Sequence, residues 1–588
     1  MTADMAKKME MDHVGAKPII NLNQPYGGEL VSLLVSEENQ VQTKKDANRL
    51  REIPLDDLLQ YDLEMLANGS FSPLIGFMTK EDYLSVLDIM RLVNGTLWPI
   101  PVCLDVDSTT ADSLEIGSDI ALTDLEGFQL AILKVESVWE INKIAEAEAV
   151  YGTTDTTHPG VQRLFFERKT HYVGGRITVI SLPLRHDFTH LRNTPLQLRQ
   201  KLESKGWTNV VTFQTRHPIH RPQYEMTLRV MKDTGAKLLI QPVVGVTHSQ
   251  DFDHYTRVRC YNHILNRYPE DSVDLNLLPY TMRFAGPREV IIHAIVAKNC
   301  GCSHIIVGHG HATPGVGQNS LPFYRNDGAK ELSIIHQEEI GINIIPYREM
   351  RYLYFEEEYR FADEIPEETQ SLNLSCNNLR KRIREGRTIP DWITFPEVLD
   401  ELRTTCPPPH KQGFTIFLTG LPGAGKSTLA RLLYAKFREM IDRPVTLLDG
   451  DIVRRNLSSE LTFSKEHRDL NVRRIGFVAN EITKNGGIAI CAPIAPYAQT
   501  RYEIRKLIEQ SGGFFEVHVA TPQIICEQRD RKGMYAKAKA GIISGFTGVD
   551  DPYEIPDIPA CRIDTSKYLA IDACKIILEK LQKEKYIQ

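Results

Sequence analysis

The stretch Gly420-Leu421-Pro422-Gly423-Ala424-Gly425-Lys426-Ser427-Thr428 restricts the possible folds of this chain more than any other segment. It fits the phosphate-loop pattern G-x-x-x-x-G-K-[ST] in full. Before it, Phe414-Thr415-Ile416-Phe417-Leu418-Thr419 reads as a short buried strand. After it, Leu429-Ala430-Arg431-Leu432-Leu433-Tyr434 carries helical periodicity. A strand, a glycine turn and a helix in that order belong to a parallel α/β sheet. There the glycines Gly420, Gly423 and Gly425 let backbone N–H groups curl around phosphate, and the helix start adds its positive dipole end. Lys426 is placed to reach the β- and γ-phosphates, and Ser427, with Thr428 beside it, to hold Mg²⁺. The competing reading, a chance glycine turn, is disfavoured by the flanking strand and helix. This part of the chain is expected to bind a nucleoside triphosphate.

At 588 residues the chain is too long for one core. Length suggests about three or four domains. With 42% hydrophobic and 25% charged residues the composition is that of an ordinary globular protein. A net charge of −7 gives no general reason to expect nucleic-acid binding, so local basic clusters are expected to serve small anions. No apolar run reaches membrane-spanning length, and residues 1–17 are charged rather than signal-like, which argues against a membrane partner. Ten cysteines are scattered without a C-x-x-C pair, which suggests reduced thiols and a cytoplasmic location.

The expected fold class is multidomain α/β. Residues 1–18 read as a loose tail. Residues 19–169 alternate short β-like runs with turns, a β-rich domain. In residues 170–345 apolar strands such as Val210-Val211-Thr212-Phe213 alternate with helical stretches, the pattern of a parallel sheet. Residues 346–400 are charged and mixed and suggest a small helical subdomain. Residues 401–412, with Cys406-Pro407-Pro408-Pro409-His410, form a stiff linker. The phosphate-loop domain occupies residues 413–588.

Downstream of the loop, Val445-Thr446-Leu447-Leu448 is a strand that delivers Asp449-Gly450-Asp451. Two carboxylates at a strand end, beside a bound triphosphate, can hold hydrated Mg²⁺ and accept a proton from an attacking hydroxyl. Arg454, Arg468, Arg473 and Arg474 suit an anionic acceptor, although any one alone reads as a solvated helix face. The ordered set Asp449-Gly450-Asp451-Ile452-Val453-Arg454, Asn471-Val472-Arg473-Arg474-Ile475-Gly476, Lys532-Gly533-Met534-Tyr535 and Gly545-Phe546-Thr547-Gly548-Val549-Asp550-Asp551-Pro552-Tyr553-Glu554 closely resembles adenylylsulfate (APS) kinase. The resemblance implies transfer of the γ-phosphate of ATP to the 3′-hydroxyl of APS, giving 3′-phosphoadenylylsulfate (PAPS). It implies Asp451 as base and Asp449 as its partner at the metal. It also implies Arg454, Arg468 and Asn471 as APS contacts, with Phe546 stacking on adenine. One departure is visible. The family's Ser-Pro-[Tyr/Phe]-Arg appears as Ala495-Pro496-Tyr497-Ala498, and direct in-line transfer needs no serine.

Residues 20 to 395 resemble ATP sulfurylase (sulfate adenylyltransferase). The motifs are Asn68-Gly69-Ser70-Phe71-Ser72-Pro73-Leu74-Ile75-Gly76-Phe77-Met78, Tyr172-Val173-Gly174-Gly175, Gln214-Thr215-Arg216, Val258-Arg259-Cys260 and Met282-Arg283-Phe284-Ala285-Gly286-Pro287-Arg288-Glu289. In that chemistry sulfate attacks the α-phosphate of ATP. The resemblance implies Arg216 and His220 as catalytic residues and Gln214, Arg216 and Arg283 as substrate contacts, with arginines holding the sulfate and histidine at a helix N-terminus stabilising charge on leaving pyrophosphate. The departures fall on this machinery. The family's Gln-Thr-Arg-Asn-Pro-x-His-Arg-x-His reads Gln214-Thr215-Arg216-His217-Pro218-Ile219-His220-Arg221-Pro222-Gln223. Its Gly-Arg-Asp-His-Ala-Gly reads Gly308-His309-Gly310-His311-Ala312-Thr313, and its Thr-Lys-Pro-Gly-Asp reads Thr247-His248-Ser249-Gln250-Asp251.

Three replacements run to histidine, a residue with 18 occurrences in 588. The expectation is therefore a site for Zn, Fe or Co built from His217, His220, His248, His309 and His311, with His254, Asp251 and Asp253 nearby. The alternative is a set of phosphate-contacting histidines without metal. Three readings of the whole stay open. The chain is a bifunctional enzyme making PAPS from ATP and sulfate, or an APS kinase fused to a repurposed sulfurylase fold acting on another oxyanion or adenylylated substrate, or a kinase fused to a silent regulatory module. A homo-oligomer is expected in each case.

Overall fold

The computed structural model describes residues 22–248, 251–317, 320–373, 376–462 and 464–587, so the expected tail lies outside the described residues. The chain divides into two compact units, one of residues 1–373 with 391–401, the other of residues 374–390 with 402–588. Among the described residues no helix is long and apolar enough to cross a membrane.

In the first unit a seven-stranded sheet is organised on one long strand, His171–Val179, which pairs antiparallel with Gln129–Lys134, Gly76–Phe77, Leu104–Val106 and Ser137–Glu140. One strand can serve four partners only if it changes neighbours midway, and Gly174 and Gly175 mark the change. A Cβ at Gly174 would collide with the Met78 carbonyl oxygen, and one at Gly175 with that of Lys134. Helices accompany this sheet. Asp57–Ala67 starts where the Asp56 carboxylate accepts from Leu59 N at 2.8 Å.

A second sheet of the same unit is parallel, in the order Val273–Leu275, Lys237–Pro242, Val210–Thr215, His304–Val307, Asn343–Pro346. Helices such as Arg221–Thr234 and Pro287–Asn299 make the crossovers, and the latter is buried from Glu289 to its end. Such a sheet, covered by helices, reads in sequence as apolar runs rather than alternation.

The charged segment over 346–400 does not form a helical subdomain. Met350–Leu353, Glu358–Phe361 and Ser371–Leu372 build a three-stranded antiparallel sheet, and helix is confined to Cys376–Arg384 and the start of Pro396–Thr405. The charges are paired across turns rather than spread on a helix face. Arg348 donates to Asp363 and Glu364 at 2.7 and 2.9 Å while its guanidinium lies 3.8 Å from the Phe361 ring centre.

The second unit carries a five-stranded parallel sheet in the order Val445–Asp449, Ile488–Ala492, Phe414–Thr419, Gly513–Val519, Cys561–Ile563. The first strand in sequence is thus central, and every residue of it is buried. Helix Lys426–Met440 packs Leu429, Leu433 and Phe437 against one face, and helix Lys465–Lys484 packs Val472, Ile475 and Ala479 against the other.

The crowding at Gly174 gives a direct test. Gly174→Ala should destabilise the first unit by more than the roughly 1–3 kcal/mol of ordinary overpacking, because the obstacle is backbone rather than a movable side chain. Urea unfolding followed by tryptophan fluorescence should show the loss, since all four tryptophans (Trp98, Trp139, Trp207, Trp392) lie in that unit.

Candidate functional sites

The phosphate loop leaves the central strand at its C-terminal end and runs into helix Lys426–Met440, with Gly425 at the N-cap. Gly423 and Gly425 hold φ at +77° and +105°, where a side chain is strained. Around the loop lies a cavity of about 820 Å³ bordered by Lys426, Ser427, Thr428, Asp449, Arg454, Arg468, Asn471 and Phe546. Eight positions expected to bind nucleotide, metal or acceptor thus share one space. Lys426 is buried and its Nζ donates to the carbonyls of Gly420 and Leu421 at 2.8 and 2.9 Å. Asp449 closes its strand and is 6% exposed. Asp451 belongs to the first turn of helix Gly450–Leu457; its side chain lies outside the described residues.

The acceptor side is held by a cluster that sequence reading missed in part. Arg468 donates to Thr547 Oγ1 at 2.7 Å and to Tyr497 Oη at 2.9 Å, and pairs with Asp551 at 3.0 Å. Burial, more than the Asp551 carboxylate beside it, pushes the Tyr497 hydroxyl up to about 12, so it stays protonated and donates. Asn471 is 6% exposed, and its Oδ1 has no hydrogen-bond partner among the described residues, which is costly unless a ligand supplies one. Phe546 meets Tyr535 edge-on, ring centres 5.0 Å apart. Arg454 donates to the carbonyls of Leu461 and Thr462 at 3.1 and 3.0 Å. At the departure noted above, Ala495 is buried with φ +47°, and its carbonyl accepts from Arg501 at 2.7 Å, contacts that need no serine hydroxyl.

In the first unit the three diverged loops follow Val210–Thr215, Lys237–Pro242 and His304–Val307, which are neighbours in the parallel sheet, so its C-terminal edge gathers them. Arg216 stands at their meeting point. It pairs with Asp251 at 2.6 Å, donates to the Thr313 carbonyl at 3.3 Å and lies 5.2 Å from the Phe284 ring centre. Phe284 holds φ +62° while fully buried, a conformation that Glu289 secures by accepting from the backbone N–H groups of Arg283 and Ala285 at 2.7 and 2.9 Å. Gln214 is buried, donates to Gln241 Oε1 at 3.1 Å, and its own Oε1 is unpartnered among the described residues. Arg283 does not face the gathered loops as an open cation. It is 7% exposed and committed to a buried ion pair with Asp62.

The expected metal centre does not assemble. Among the described residues no three His, Cys, Asp or Glu side chains converge as ligands. The reason lies in where each imidazole goes. His309 turns to Asp327 at 3.5 Å and is half exposed, while His311 turns inward to His293 at 2.8 Å. His220 caps helix Arg221–Thr234 and bonds Thr394 at 2.9 Å. His217 faces Asp251 at 3.6 Å, His248 lies edge-on 5.9 Å from the Phe284 ring, and His254 pairs with Asp187 at 3.0 Å. Asp253 caps the following helix through Thr256 N at 2.9 Å. Ser249 and Gln250 lie outside the described residues. The lost second histidine has a structural successor, because Gln223 Oε1 accepts from His220 N at 3.1 Å and completes the helix start.

His293 was hidden in an apolar helical run and gave no sequence signal. Burial pushes His311 down to about 4, with the Arg216 charge adding to it, and burial, with His311 beside it, holds His293 well below its ordinary value. Both imidazoles are therefore neutral at neutral pH and offer hydrogen bonds, not charge. In the unfolded chain they titrate near 6.5, so as pH falls the unfolded state takes up protons first. Their contribution to stability is complete above about 6.5 and is lost progressively toward pH 4. The unfolding midpoint of the first unit should drop over that window, and His311→Asn should make the drop shallower in a pH series of urea titrations.

Family models match this chain in three blocks: a PUA-like domain over residues 23–182, ATP-sulfurylase over 189–405 and adenylylsulphate kinase over 412–564. The chain is 44% identical over 572 residues to the sulfate adenylyltransferase of Mycosarcoma maydis, covering 96% of this chain and 100% of that protein. It is 45% identical over 546 residues to that of Chaetomium globosum, covering 92% and 95%. Among solved structures, the hexameric APS kinase from Thiobacillus denitrificans is similar at a TM-score of 0.80 and 39% identity, covering 96% of this chain and 100% of that one.

Proposed function

The chain belongs to the sulfate adenylyltransferase family in the form that carries an adenylylsulfate kinase on the same polypeptide, and on that footing we propose how its two halves work. The first half joins sulfate to the α-phosphate of ATP and releases pyrophosphate. The second transfers the γ-phosphate of a further ATP to the 3′-hydroxyl of the APS so formed, giving PAPS and ADP. The observation that carries the kinase reading is the single cavity in which Lys426, Asp449, Arg468, Asn471 and Phe546 meet.

In the kinase half Arg454, Arg468 and Asn471 bind APS, and Phe546 stacks on its adenine. The loop N–H groups and Lys426 grip the triphosphate. Asp451 accepts the proton of the 3′-hydroxyl as its oxygen bonds to the γ-phosphorus and the bond to the β-phosphate oxygen breaks. The Ser427 hydroxyl and the buried Asp449 carboxylate are hard oxygen donors on one cavity, a set that fits Mg²⁺, which when bound neutralises phosphate charge. In the first half Arg216 and Gln214 orient sulfate, and His220 and His311 serve as hydrogen-bond donors toward the phosphates. A homo-oligomer acting in the cytoplasm suits the hexameric relative and the nine free cysteines among the described residues.

Lys426→Ala and Asp451→Asn should each lower PAPS formation from APS and ATP by at least about 10²–10³-fold, the typical effect of removing one preorganised transition-state group. A coupled ADP-release assay on folded protein reads this, and near-normal turnover in either variant overturns that residue's role. Pyrophosphate release from ATP and sulfate should run about 10²–10³-fold below that of the Mycosarcoma maydis relative, because histidines stand where arginine and lysine are expected. Equal turnover would show that His309 and His248 replace those cations fully.

A further inference from the structure

A phosphate loop binds anions through N–H groups that point inward, so its carbonyls point outward, where burial requires them to find donors. In this chain the donors can be assigned almost one by one. Lys426 Nζ serves Gly420 and Leu421. Tyr535 Oη donates to the Pro422 carbonyl at 3.0 Å. The Ala424 carbonyl alone has two hydroxyls, Thr521 Oγ1 at 2.9 Å and Thr565 Oγ1 at 2.8 Å. These threonines follow Gly513–Val519 and Cys561–Ile563, the two strands on one side of the central strand.

Counting protons shows what the pair does. The two Oγ1 atoms are 2.8 Å apart, and each hydroxyl has one proton. Thr565 N–H donates to Thr521 Oγ1 at 3.2 Å, and Arg529 donates to Thr565 Oγ1 at 2.7 Å and to the Thr565 carbonyl at 3.0 Å. Both oxygens are thus supplied from behind, and each proton goes either to the other hydroxyl or to Ala424. The two hydroxyls cannot donate to each other at once. Ala424 O therefore receives at least one proton in every arrangement. The same peptide unit carries the Gly425 N–H on its opposite side, and Thr565 packs so close that a Cβ at Gly425 would lie 3.1 Å from its Oγ1.

We infer that Thr521 and Thr565 form a redundant clamp that fixes the Ala424–Gly425 peptide with its N–H toward the nucleotide phosphates. They are positioning residues, acting through the loop and not by touching the acceptor. The inference rests on reading this loop as a triphosphate site.

The test is calorimetric binding of ADP with Mg²⁺ to full-length protein, alongside steady-state kinetics for ATP and APS. Thr521→Val and Thr565→Val singly should weaken ADP by no more than about 3-fold, since one donor remains. The double variant leaves a buried carbonyl unsatisfied and should weaken ADP by about 10-fold or more, beyond the product of the singles. KM for ATP should follow while KM for APS stays within about 2-fold, and Thr521→Ser/Thr565→Ser should bind ADP like the parent. Multiplicative single effects, an unaffected double variant, a serine variant as weak as the valine one, or an equal rise in the APS KM each overturns the clamp. If the double valine protein does not fold, Thr521→Val/Thr565→Ser and Thr521→Ser/Thr565→Val decide, expected within about 3-fold of the parent and overturning the clamp beyond it. Lys426→Ala is the control for the underlying reading: unchanged ADP affinity there removes the triphosphate site itself.

Discussion

Parallel strands send all their outgoing loops to one edge, and this chain depends on that constraint twice. In each unit a five-stranded parallel sheet delivers motifs far apart in sequence to a common edge. One edge gathers the loops after Val210–Thr215, Lys237–Pro242 and His304–Val307. The other gathers the phosphate loop and the Asp449 carboxylate that ends Val445–Asp449. The buried central strands carry little chemistry of their own beyond Gln214 near the end of Val210–Thr215. Their role is to fix where the backbone stops being strand, which is where N–H groups and side chains become available to anions.

Two of the arginines proposed to bind anions are restrained in the same manner. Arg216 is tied to Asp251 and Arg468 to Asp551. A guanidinium held by one carboxylate keeps its direction, and its charge is offset, which lowers attraction for stray anions and leaves selection to neighbouring donors. The pairs with more deeply set carboxylates, Arg283 with Asp62 and Arg168 with Asp105, belong to another category. Such pairs add little net stability because desolvation offsets their attraction, but breaking one leaves an uncompensated charge inside the core.

The phosphate loop was legible in sequence because its function depends on consecutive residues. Glycines, lysine and serine must adjoin, with strand before and helix after, and all of that is local. The parallel sheets were legible for the same reason, as apolar runs between helical stretches. The histidines were not. Counting imidazoles on three loops said that they are near one another, but a metal needs them to aim at one point, and aim is set by partners such as Asp327, His293 and Thr394 that lie elsewhere in the chain. The charged segment after residue 346 misled similarly, because turn-spanning ion pairs and helix faces have the same composition. Thr521 and Thr565 are separated by 44 positions and meet each other beside a backbone carbonyl, which no side-chain pattern records.

One large cluster of buried apolar residues runs from Leu22 to Ile344 in the first unit, and two others lie between Phe414 and Ile587 in the second. Cooperative unfolding follows contiguous cores, so a chain of two compact units is expected to unfold in more than one step. Nucleotide bound at the phosphate loop stabilises by mass action only the unit that holds it. A calorimetric trace with saturating ADP therefore separates into a transition that moves and one that stays, and the moving one identifies the kinase half without any truncation of the chain.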